Sequence, residues 1–485
     1  MPERLTAVEW AALAQQTVRT PAVVGTVTIV GPVPVTDPDE QPGAAEEPIG
    51  ADLLMELIRD RIRYVPRYRQ RIREVPGRLA DPVWVDDQHF DLDQHVRRAV
   101  LPRPGRAQQL REFTERVISR PMDRTRPLWD LYLVEGLDRG RTAIVSRTHL
   151  ALVDGIDTVD LVQELLDADP QDVVAAVDDW SPLPEPGDAQ LFAGAVTESV
   201  QQPRRIWTSL QHAVSDGLGL AAGVSETVGL VEPVSRLASE LSRGAWTPTR
   251  TPLHGRVGER RRLAEVSHDL DQLHAVGRAY GHTVHDVLLA MITGGLRRWL
   301  LSRGEAVPDQ TSLSALVPLS VDEDDDRPSS LGTTVVGHRA RLPIGEPDGL
   351  ARLHQIGYGT EAHQQSGRAT SAEALSRIPG FAPPTLHVLG ARTGAESLGS
   401  SHDLIITHAP GPESPVHLGR APVVVSYPVL PLTQRHLLAI GATSYNGRMM
   451  IGLNADRDEL DDLAVLAQSI SDELSELLQT TKEDR

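Results

Sequence analysis

Residues 142–168, TAIVSRTHLALVDGIDTVDLVQELLDA, change period in mid-run, and that change constrains the fold more than any other feature of the chain. The first part, TAIVSRTHLAL (142–152), is apolar and β-branched and predicts a strand. Beyond Asp154 and Gly155 the apolar residues Ile156, Val159, Leu161, Val162 and Leu165 recur at helical spacing and predict a helix over 154–168. A strand passing through a loop into a helix is the unit of α/β architecture. An α/β fold is therefore the expected class.

Similar alternation extends along the chain. VVGTVTIVGPVPV (23–35) predicts a strand, and TDPDEQPGAAEEPIG (36–50) a loop. Residues 51–72 place Leu53, Leu54, Leu57, Ile58 and Ile62 on one face of an amphipathic helix that stops or kinks near Pro66. The acidic, Pro-rich DDWSPLPEPGD (178–188) marks a boundary, and 190–247 is helical in pattern. A second α/β pattern begins near 250. It contains a long apolar helix over 283–304 ending at Gly304, and strands at 313–321 and 333–342. A hairpin centred on Asn446-Gly447 and a closing helix over 459–478 follow. At 485 residues the chain exceeds one ordinary core. The expected organisation is an N-terminal half, 1–180, a helical bridge, 181–250, and a C-terminal half, 251–485.

Composition removes several classes of function. A net charge of −19 disfavours nucleic acid and anionic lipid, both of which reward clustered Lys and Arg. With no cysteine there is no disulfide, thiolate nucleophile or Cys-ligated metal. No apolar run approaches the ~18 residues of a membrane span, and MPERLTAVEWAALAQQ lacks the charged and apolar regions of a signal peptide. A cytoplasmic protein is expected, with peripheral membrane contact through an apolar patch left open. The only Lys is Lys482 and the only Asn residues are Asn446 and Asn454, which points to a GC-rich, actinobacterial type of genome.

RPMDRTRPLWDLYLVEGLDRGRTAIVSRTHLALVDGIDTVDLV (120–162) resembles the bacterial wax ester synthase/diacylglycerol acyltransferase family. Pro127-Leu128-Trp129-Asp130 stands where the family has a Pro-Leu-Trp-Glu-like stretch, about twenty residues before its His-His-x-x-x-Asp-Gly. TPLHGRVGERRR, TVHDVLLA, LVPLSV, THAPGPESPVHLGR and SYNGRMMIGLNADRD follow in the family's order. The resemblance implies two chloramphenicol-acetyltransferase-like halves with a central tunnel at their interface. It also implies acyl-CoA or a carrier-bound acyl thioester as co-substrate, no bound cofactor, and a small-molecule or lipid acceptor.

The family motif is broken at its chemical centre. Its second His, read as the general base, is here Leu150, and His149 aligns with the first His. Acyl transfer to a hydroxyl needs a base with a pKa near the working pH, which imidazole provides and Leu cannot. Adjacent residues of an extended segment face opposite ways, so His149 reaches the position of Leu150 only by a one-residue slip. Asp154, as partner of an Arg, and Gly155, as a tight-turn residue, keep their implied structural roles. The resemblance sets Leu150, Pro410 and Gly411 against substrate.

Three further departures replace Asn by His, giving Leu253-His254-Gly255, His285-Asp286-Val287 and His408-Ala409-Pro410-Gly411-Pro412. Codon drift in a chain almost devoid of Asn accounts for these changes, and a relocated base at His408 or His285 is the sharper reading. Drift does not account for Leu150. The expected activity is acyl transfer to a specialised hydroxyl or amine acceptor, with a non-catalytic acyl-CoA- or lipid-binding protein as the alternative. No metal is expected: DEDDDR (322–327) lacks the features of a calcium loop, and His282 and His285 lack a third ligand. Pro127-Leu128-Trp129 reads as packing.

Overall fold

The structure, a computed structural model, describes residues 2–14, 16–33, 48–78, 80–152, 161–170, 180–193, 251–321, 334–365 and 402–483. Asp154, Gly155, the run 322–327 and most of the loop 36–50 and bridge 181–250 lie outside the described residues.

In chain order the strands are β1 Val23–Val30, β2 Gln70–Arg73, β3 Val83–Asp86, β4 Val96–Val100, β5 Trp129–Glu135, β6 Thr142–His149, β7 Leu166–Asp167 and β8 Arg261–Asp269. They continue as β9 Leu313–Val321, β10 Thr334–Leu342, β11 Leu404–Ala409, β12 His417–Leu418, β13 Ala421–Val429, β14 Leu438–Tyr445 and β15 Arg448–Asp456. The helices are α1 Ala7–Ala14, α2 Ala51–Arg61, α3 Ala107–Ile118, α4 Leu161–Glu164, α5 Leu270–Tyr280, α6 Val284–Ser302, α7 Gly349–Gln365 and α8 Leu463–Glu483.

Two large sheets result. The first has the order β4-β5-β6-β1-β13-β12-β7, and the second β10-β9-β11-β14-β15-β8. β6 is buried along its whole length, as its unbroken apolar run requires of a strand covered on both faces. It pairs antiparallel with β1, whose other edge takes β13. Residues 417–429 thus complete the first sheet although they stand late in the sequence. One hydrophobic cluster runs from Leu5 to Leu477 and joins both sheets.

The α/β expectation holds, as do the strands expected within 23–35, at 313–321 and within 333–342, the helix within 283–304 and the Asn446-Gly447 hairpin. Three local expectations differ. The helix from 51 tightens into a 3-10 turn over Ile62–Tyr64 and breaks at Val65 ahead of Pro66 (φ −125°, ψ 66°), as expected, but Gln70–Ile72, read as its continuation, instead pair with β3. The strand from 142 ends at His149, where the chain turns. Leu166 and Asp167, read as helix, instead pair with Leu418 and His417. A partner about 250 residues away decides their conformation.

Candidate functional site

The end of β6 is locked from both sides. The His149 N–H donates to the Leu128 carbonyl at 2.9 Å, and that of Leu150 to Ala22 at 2.9 Å. The His149 ring accepts the Ala151 N–H on Nδ1 at 3.0 Å, and its carbonyl accepts from Leu152 at 2.9 Å. A fully buried imidazole therefore holds the turn that follows its own strand. Leu150 is sealed in the same core and offers no proton acceptor.

Beneath the turn, Arg147 reaches Asp130 of the paired strand at 3.0 Å and the Arg120 carbonyl. Burial raises the Asp130 carboxyl above its usual range, with Arg147 opposing that shift. Leu128 and Trp129 are packed as expected. The Trp129 indole donates to the Tyr68 carbonyl at 2.7 Å and stacks on His95 with centroids 4.5 Å apart.

His285 and His408 come together from distant parts of the chain. His285 lies in the first turn of α6 and His408 on β11, with Nδ1 atoms 3.2 Å apart and rings stacked at 11°. Burial lowers the His285 pKa, and burial and then His285 push His408 down to about 3. Two neutral imidazoles sharing one Nδ1 proton satisfy this contact, one donating and the other accepting. His285 Nε2 is buried with no hydrogen-bond partner among the described residues.

Neighbouring side chains fix the pair. Asp286 Oδ2 accepts the Thr283 N–H at 3.0 Å, and Thr283 Oγ1 accepts the Asp286 N–H at 3.1 Å, a capping box that starts α6. After His408 the loop is stitched to the hairpin: the Gly411 N–H donates to Ser444 Oγ at 3.1 Å and that of Asn446 to the Pro412 carbonyl at 3.0 Å. A Cβ on Gly411 would sit 2.2 Å from the Ser444 carbonyl oxygen, so only glycine fits.

His254 does not join them. Its Nε2 lies 3.3 Å from the His402 carbonyl and 3.4 Å from Asp403 Oδ1, just ahead of β11, whereas His408 is near the strand's far end. His436 also engages the His402 carbonyl, at 2.7 Å, and stacks on the His402 ring. Burial raises the Asp403 carboxyl, which accepts the Ser314 N–H at 2.7 Å. The role of His402, Asp403 and His436 was not read from sequence. HDLIIT and RHLLAI each set a His just before an apolar strand, and the pairing of β11 with β14 brings them together. His282 pairs with His354 at 2.8 Å rather than with His285.

A family model for the wax ester synthase/diacylglycerol acyltransferase catalytic domain matches residues 10–288, and one for the C-terminal domain of that family matches 332–478. The chain belongs to the wax ester synthase/diacylglycerol acyltransferase family. Two probable diacylglycerol O-acyltransferases of Mycobacterium tuberculosis are similar, at 30% identity over 86% of this chain and 88% of the relative, and 28% over 89% of each. The solved wax ester synthase/diacylglycerol acyltransferase of Marinobacter aquaeolei superposes with a TM-score of 0.67 at 25% identity, covering 99% of this chain and 100% of that one. A starter condensation domain of rhizomide synthetase in complex with C8-CoA and Leu-SNAC shares the fold, with a TM-score of 0.51 at 12% identity over 99% of this chain and 93% of that one. Among the described residues no helix is long and apolar enough to cross a membrane.

Proposed function

We propose that this chain transfers an acyl group from acyl-CoA or a carrier thioester to a specialised hydroxyl or amine acceptor, with the His285–His408 pair as proton acceptor. The carrying observation is the contrast between two positions. Leu150 seals the family's base position with an apolar side chain, while two neutral imidazoles stand 3.2 Å apart on α6 and β11. In the reaction an imidazole takes the acceptor's proton as its oxygen or nitrogen bonds to the thioester carbon. The C–S bond then breaks, and the thiolate leaves with that proton. Burial keeps the pair unprotonated and also weakens it as a base, so the proton moves only in concert with bond formation to the thioester carbon.

The enclosure of Leu150 and the commitment of the His149 ring to Ala151 favour one alternative, a protein that binds acyl thioesters without turnover. Thiol release from a panel of acyl-CoAs and acceptors separates the two. The base reading expects His408→Asn and His285→Asn, which restore the family's residues, to slow release by about 10²–10⁴-fold with acyl-CoA binding intact. Leu150→His should leave the rate unchanged. Tight acyl-CoA binding with no release in any variant would establish the binding protein, and a rise in rate for Leu150→His would reject the relocated base.

A further inference from the structure

Two spaces meet at one ion pair between the sheets. An open cleft of about 420 Å³ runs between α3, β8 and α8, and an apolar slot of about 50 Å³ adjoins it, bounded by both sheets and α3. Arg111, Leu263, Ala264 and Glu265 line both spaces, so the two share a wall. Across that wall Arg111 of α3 holds Glu265 of β8 with two parallel hydrogen bonds, Nε to Oε2 at 2.8 Å and Nη2 to Oε1 at 2.7 Å. Behind the pair the lining includes Val27, Ile29, Leu110, Val429 and Leu453. At Gly452 the backbones of β15 and β13 close together, since a Cβ there would lie 2.1 Å from the Pro428 carbonyl oxygen.

We infer that the slot receives the methyl end of a straight alkyl chain, entering from the open cleft past the Arg111–Glu265 pair as a movable partition. This rests on the acyl-transfer reading only for the source of the chain, donor or acceptor. Reckoned at roughly 10–15 Å³ for each water-sized group, a space of 50 Å³ admits a few methylenes and no headgroup. Its apolar lining gives water few partners and suits a hydrocarbon.

The partition is cheap to move. The two side chains keep 33% and 26% of their exposure, and pairs of that kind hold an equilibrium by no more than about fivefold. Each methylene removed from water contributes about fourfold, so two of them offset the loss. Val27 pairs with Val145 and Val23 with His149, which places the slot and the His149 ring on one face of the first sheet, about 13 Å apart along β1.

Calorimetric titration of the full chain with straight acyl-CoAs of increasing length, and in parallel with 1-alkanols, tests the slot. Affinity should rise about fourfold per methylene to a plateau. Val27→Phe, which fills the slot, should bring the plateau to a shorter chain and leave the shortest ligands unaffected. Leu263→Ala, which widens it, should move the plateau to a longer chain, so the inference stands or falls even if one variant does not fold. Arg111→Met should speed association without moving the plateau. A shift confined to the acyl-CoA series assigns the slot to the donor, and one confined to the alkanols assigns it to the acceptor. A plateau that stays put in both variants and both series, or no binding in either series, overturns the inference. Thiol release with an unmoved plateau rejects the slot alone, and a moving plateau without thiol release rejects only the enzyme.

Discussion

Below pH 6.5 the imidazole of His408 gains a proton in the unfolded chain sooner than in the folded one, because burial and His285 depress its folded pKa to about 3. The unfolded state then binds more protons, so the His408 contribution to stability falls as pH drops from 6.5 towards 3 and changes no further beneath that. His285 acts in the same direction. Urea titrations across this window should show a steep loss for the parent chain and a shallower one for His408→Asn; parallel curves would show that the pair does not govern the slope. At this scale the three histidine positions were individually legible as replacements of Asn. Their grouping was not, because it depends on which end of β11 each residue meets.

Elements with strong local signals were readable, among them β6, α6 and the hairpin whose Asn446 and Gly447 both take positive φ. The misread ones, Gln70–Ile72 and Leu166–Asp167, owe their form to strand partners that no local pattern reveals. Helix packing in the second half hid a further determinant. Glu473 of α8, fully buried, takes Arg352 of α7 and Arg298 of α6, the latter at 3.1 Å. Glu473→Ala leaves Arg352 buried beside a lost carboxylate and should destabilise the fold by about 3–5 kcal/mol. A change under 1 kcal/mol in chemical denaturation would mean that water replaces the carboxylate. Thr283→Ala removes the N-cap of the helix that carries His285 and should cost about 1 kcal/mol in chemical denaturation.

At the scale of the whole molecule, division into 1–180, 181–250 and 251–485 remains a proposal about the chain, while the sheets cross that division. β13 from the late sequence lies against β1, and β12 joins it to β7. Separately expressed 1–250 and 251–485 should therefore fail to give cooperative melts, the first for want of β13 and the second with that strand unsheeted, whereas mixing them should restore one transition. A cooperative melt of 1–250 alone would contradict this. No local pattern announces the crossing, since VVVSYPV reads as a strand wherever its partner lies.

That crossing also sets a timetable for a nascent chain. β1 leaves the ribosome about 400 residues ahead of its partner, since Val30 meets Val423 and Gly25 meets Val429. At 5–20 residues per second the wait is roughly 20–80 s. Throughout it β1 presents an apolar edge with hydrogen-bonding groups unmatched on the side where β13 will lie, the kind of edge that recruits neighbouring chains on a crowded polysome. A chaperone that shields such edges would therefore be needed most until Val429 has been translated.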